Sequence, residues 1–157
     1  MIIKFIYTIF LALLVALFVG FGIDAFYQGP EAPKYPAALE VVRQGCEQTM
    51  EEKTISQEFN KSQEKYMDEM KVYNRNVSII SLAAAIIILV LSLTLLTKIK
   101  MIADGILLGG VFTTLYGIIR GLMSEGSLFR FLIIVIGLII ALTLGYIKFI
   151  RPKENIQ

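Results

Sequence analysis

Two groups of carboxylates are the side chains in this sequence best placed to do chemistry. Glu47, Glu51 and Glu52, and then Glu64, Asp68 and Glu69, set acidic oxygens about one helical turn apart, so that one helix face could offer ligands to a cation. Calcium loops draw their oxygens from a tight, glycine-containing turn, and none surrounds these residues. The carboxylates therefore read as the solvated faces of two helices, and no metal ligand is assigned. The sequence has no histidine and one cysteine, Cys46. It thus lacks the commonest general base and zinc ligand, and it cannot form an intrachain disulfide. Without a Gly-rich phosphate loop or paired carboxylates inside an apolar run, no active site can be assembled. The expectation is a non-enzyme with no catalytic residue and no cofactor.

The elements that carry these side chains are dominated by apolar runs. Of 157 residues, 56% are hydrophobic, with a mean hydropathy of +0.70. Four stretches, about Phe5 to Ile23, Val77 to Thr97, Met101 to Ile119 and Phe131 to Ile147, are long and apolar. At ~1.5 Å rise per residue, ~20 residues cover a ~30 Å hydrocarbon layer. The fold expected is all-α and integral to a membrane: a first transmembrane helix over 1–23, an extramembrane segment over 24–76, and three further transmembrane helices with a short basic tail over 77–157. The first run is longer than the ~7–15 residue core of a cleaved signal, so it reads as a retained span.

Segment 24–76 holds ten acidic and seven basic residues, while the rest of the chain holds eight basic and three acidic. No basic face of the kind nucleic acids require is present. Lys4, Lys98, Lys100, Lys148, Arg151 and Lys153 fall on one face of a four-span chain, and positive flanks favour the cytoplasm. Both termini are accordingly expected in the cytoplasm, with 24–76 on the other side of a cell (inner) membrane. The Lys and Arg of the long segment argue the opposite way, with less weight because they lie farther from the bilayer.

Residues Gln28 to Pro36, QGPEAPKYP, carry three prolines and form an extended linker. Phe26, Tyr27 and Tyr35 bracket it and suit the headgroup layer. Beyond it, Leu39, Val42, Cys46 and Met50 lie on one helical face, and Phe59, Gln63, Tyr66, Met70, Tyr73 and Val77 alternate four and three, as in a coiled-coil seam. One straight helix over 37–76 would be ~60 Å long, while the thirteen residues before it reach only ~45 Å. The segment therefore folds back as a helical hairpin or lies on the surface. A break at Lys53–Ile55, with Thr54 and Gln57 as a capping box, favours the hairpin.

Lipid supplies no hydrophobic drive between spans, so they associate where small residues allow close approach. The candidate packing positions are Ala12, Ala16 and Gly20, then Ser78, Ser81, Ala85 and Ser92, then Gly105, Gly109, Gly110, Gly117 and Gly121, and finally Gly137, Ala141 and Gly145. The middle thirds of the spans hold no charged residue, and Thr113, Thr114, Tyr116, Thr143 and Tyr146 are the most polar uncharged groups available in the last two spans. Transporters usually keep charges at that depth. The pattern favours a scaffold or accessory subunit that presents its hairpin to a membrane-protein partner or to another copy of itself. Phe59, Tyr66, Met70 and Tyr73 are the candidate partner-facing residues. A small oligomeric transporter or pore, including a holin-like one, is the alternative. The stretch GIDAFYQGPEAPKYP (Gly22 to Pro36), just after a first span, resembles a feature of uncharacterised small four-span prokaryotic membrane proteins. That resemblance implies a bacterial inner membrane and brings no activity with it.

Overall fold

The computed structural model describes residues 2–36, 50–95 and 99–150. It contains four α-helices: α1 (Ile2–Phe26), α2 (Met50–Leu95), α3 (Lys100–Leu122) and α4 (Ser127–Gly145). A π-helical turn, Tyr146–Ile150, follows α4. All four helices are long and apolar enough to cross a membrane. Their outer faces carry many exposed Leu, Ile and Phe side chains, among them Phe18, Phe21, Leu128 and Leu142, a surface suited to lipid rather than water.

The second span and the return arm expected before it are one helix of 46 residues, ~69 Å long. No glycine or proline interrupts Met50 to Leu95, and Glu, Lys, Gln and Met are good helix formers. The expected break at Lys53–Ile55 is therefore absent. Thr54 caps nothing; its hydroxyl donates to the Met50 carbonyl one turn back, at 3.0 Å. The first arm of the expected hairpin, with Leu39, Val42, Cys46 and Glu47, lies outside the described residues, as do Lys98, Arg151 and Lys153.

α3 is the hub. An added Cβ on Gly105 would lie 2.7 Å from Leu11, and one on Gly109 2.7 Å from Val15, both on α1. On the next face of the helix, about 100° round, Gly110 and Gly117 approach Leu89 and Leu82 of α2. Gly121 approaches Ser78 of α2 and Ile133 of α4, and Ile118 of α3 meets Gly137. Five glycines on one helix thus admit neighbours on three sides, because a missing Cβ lets backbones approach. The order of contacts makes α3 parallel to α1 and antiparallel to α2 and α4, as four successive crossings require. α2 turns its serines inward: Ser78 donates to the Gly117 carbonyl and Ser92 to the Ala103 carbonyl, both at 2.7 Å. Thr113, Thr114 and Thr143 instead bond the carbonyl four residues back. Ser92→Ala should cost about 0.6 kcal/mol, the usual worth of an interhelical hydrogen bond in a bilayer, read by reversible unfolding in bicelles.

α3 extends beyond the apolar run on both sides, to 23 residues and ~34 Å, so Arg120 as well as Asp104 lies within the helix. Asp104 pairs with Lys148 of the π-helical turn, tying the start of α3 to the end of α4. At the opposite end, Ser124 accepts two hydrogen bonds on its carbonyl from Arg130, 3.0 and 2.8 Å, and donates its hydroxyl to Gly121. Gly126 opens α4 at φ 95°, a left-handed backbone that costs an L-residue about 1–2 kcal/mol. Gly126→Ala should lose that amount in the same unfolding assay.

Candidate functional site

Where α1, α2 and α3 meet near the end of α1, a polar and aromatic cluster forms. Tyr73 and Val77, one turn apart on α2, are buried with Ile23 of α1, and Val19, Met70 and Tyr116 pack against them. Asn74, next to Tyr73, is buried, with 5% of its surface exposed. Tyr116 and Arg120 stand one turn apart on α3, so both reach this layer. The Arg120 guanidinium donates from Nε to the Tyr116 hydroxyl at 3.1 Å and from Nη1 to Asn74 Oδ1 at 2.9 Å. Its carbon lies 5.8 Å from the Tyr73 ring centroid and 5.4 Å from that of Tyr116, within cation–π range. No carboxylate among the described residues pairs with Arg120.

The proline-rich linker is tied to the same cluster. Tyr27 stacks on Tyr73 at 5.4 Å between centroids and 6° between planes. Its hydroxyl accepts a 2.7 Å hydrogen bond from Asn76. Gly29 passes beside the Tyr73 ring, where an added Cβ would come within 3.3 Å. Farther along, Tyr35 meets Phe59 edge-on, 5.3 Å apart at 79°. The linker thus runs back along α2 as a strap. Its eight steps from Tyr27 to Tyr35 span ~25 Å as polyproline helix, against ~21 Å for the fourteen helical steps from Tyr73 to Phe59.

This strap involves two of the candidate partner-facing residues. Phe59 is covered on one edge by Tyr35, and Tyr73 is buried under Tyr27. Met70 packs against the buried cluster and Tyr66 is half-buried, while Met67 and Val72 on the other faces are exposed. Two carboxylates on this part of α2 are engaged by neighbouring lysines: Asp68 accepts from Lys71 at 2.9 Å and Glu69 lies 3.8 Å from Lys65. Lys71 also reaches Glu125 in the loop before α4, at 3.8 Å. The hydrogen bond to Asp68, with the charges of Asp68 and Glu125, raises the Lys71 ammonium above its ordinary pKa. Among the described residues no group of three or more Cys, Asp or Glu could hold a metal ion.

Of the small residues, Ala12 is buried against α3 and Gly105, Gly109, Gly117 and Gly121 form the helix contacts described above. Gly20 and Gly145 have no neighbour within 4 Å of an added Cβ, and Ala141 is exposed. Ala16 and Gly20 instead line an open groove of about 530 Å³ between α1 and α3. Its walls are apolar, and its rim carries Asp24, Tyr73, Tyr116 and Arg120. A second groove, between α1 and α2, holds about 780 Å³ and no charged residue. The charged groove is the feature sequence reasoning missed. Its signal was Arg120, one turn after Tyr116 on α3, with Asp24 near the end of α1. Comparison with family models, with curated proteins and with solved structures finds no match to this chain.

Proposed function

We propose that this protein is a non-enzymatic scaffold or accessory subunit of a bacterial inner membrane, with both termini cytoplasmic and residues 24–76 outside. Its task is to hold the upstream part of α2, as one arm of a helical hairpin, in a fixed attitude toward a membrane-protein partner. The observation that supports this most is the continuity of α2. A helix that passes without a break from the bundle into the aqueous segment, strapped by Tyr27 and Tyr35, transmits the bundle's orientation to whatever it touches. Half-buried Tyr66 and exposed Met67 are the side chains along it best suited to a contact.

Photo-crosslinking from position 67 in native membranes tests the proposal. A discrete adduct of one protein species, lost when the crosslinker is moved to Lys4, is the expected result. An unmodified chain under conditions that label a known complex would count against it. A transporter or pore would instead give solute flux in liposomes above that of empty vesicles.

A further inference from the structure

We propose that the groove between α1 and α3 binds one phospholipid whose headgroup carries a phosphate and a primary ammonium. This inference rests on residence in a bilayer and is independent of the scaffold role. The groove runs from Leu13 to Asp24 along α1, ~16 Å at the helical rise, about half of a ~30 Å hydrocarbon layer and so the depth of one leaflet. Leu13, Leu17 and Leu115 on its walls are all about half exposed, and Gly20 leaves open space beside them. This is a channel for an acyl chain.

The rim selects the headgroup. A guanidinium has five N–H donors in a fixed fork, and Arg120 spends two of them within the described residues, on Tyr116 and Asn74. The remainder suit the phosphate oxygens of a lipid at the boundary. Asp24 lines the same rim with the opposite charge, exposed, and in no ion pair among the described residues. An ammonium bearing N–H groups can donate to that carboxylate; a quaternary ammonium cannot. A purely anionic headgroup would meet Asp24 with a like charge. A transmembrane helix of a second copy would cover the Asp24 carboxylate with apolar surface and bring it no donor, which is costly.

The test uses the full-length protein in mild detergent, titrated with phosphatidylethanolamine, phosphatidylglycerol and phosphatidylcholine and followed by native mass spectrometry. One phosphatidylethanolamine per chain should be retained, about tenfold tighter than either other lipid. Asp24→Asn should abolish the preference over phosphatidylglycerol. Arg120→Gln should weaken binding of all three about tenfold. Ala16→Trp, which fills the groove and leaves the rim untouched, should remove the retained lipid; it and Asp24→Asn decide the matter if Arg120→Gln fails to fold. Retention that climbs without saturation, equal for the three headgroups and unchanged by Ala16→Trp, would overturn the proposal. So would a dimer that Ala16→Trp dissociates, which would assign the groove to a second copy.

Discussion

Gly109→Leu is expected to destabilise the bundle by about 3 kcal/mol or more, at the upper end of what overpacking costs. A Cβ there would lie 2.7 Å from Val15 Cβ, 2.8 Å from Val15 Cγ1 and 3.2 Å from the Ala12 carbonyl oxygen. None of these atoms is the free end of a flexible chain. Valine has one strongly preferred rotamer in a helix, and the carbonyl belongs to the backbone, so relief requires α1 to move off α3. The same substitution at Gly145, where nothing lies within 4 Å, should change stability by less than about 0.5 kcal/mol. Reversible unfolding by steric trapping measures both. Equal effects at the two positions would show that the α1–α3 contact is not the one described.

Arg120→Met should cost about 2–3 kcal/mol. It removes two charge-assisted or charged-donor hydrogen bonds and leaves Asn74 Oδ1 without its donor in a buried position. A buried acceptor left unsatisfied loses about 1–3 kcal/mol. Replacing both partners should be milder than replacing one, because two apolar groups of matched shape leave no orphan. The double variant Asn74→Leu with Arg120→Met is therefore expected to recover at least about 1 kcal/mol relative to Arg120→Met alone. A strictly additive pair would separate Arg120 from Asn74 and undo the account of the cluster.

The four apolar helices were legible because an uninterrupted run of Ile, Leu, Val and Phe admits one solvent. Their ends were less so. The third run reads as ending at Ile119, short of Arg120, since isolated charges in lipid are expensive, yet the helix holds both Asp104 and Arg120. The charges are tolerated because Lys148 meets Asp104, and Tyr116 and Asn74 meet Arg120. Those partners lie as many as 46 residues away, beyond the reach of local pattern. The break at Lys53–Ile55 failed for a related reason. Thr54 and Gln57 have the spacing of a capping box, whereas the backbone follows helix propensity and the absence of Gly and Pro.

The candidate site was legible only in fragments. Aromatic residues flanking the prolines were assigned to headgroups because single aromatics near a span usually sit there. Tyr27 and Tyr35 also pair with Tyr73 and Phe59, which the flanks alone do not specify. The match between polyproline rise and helical rise over that interval carries the pairing, and it becomes visible only when the linker is laid against α2. The glycines of α3 read as one stripe, but a helix has several faces. Gly109 and Gly110, adjacent in sequence, face Val15 of α1 and Leu89 of α2, and which neighbour each would meet depends on tertiary placement.

The central claim is that the chain crosses the bilayer an even number of times and carries the upstream part of α2 on the side opposite its termini. Single cysteines at Ser62 and at Gln157, in a Cys46→Ser background, report on it directly when intact cells are treated with a membrane-impermeant maleimide. The account predicts labelling at position 62 in whole cells and at position 157 only after lysis. Labelling of both positions from the same side of the membrane would contradict it.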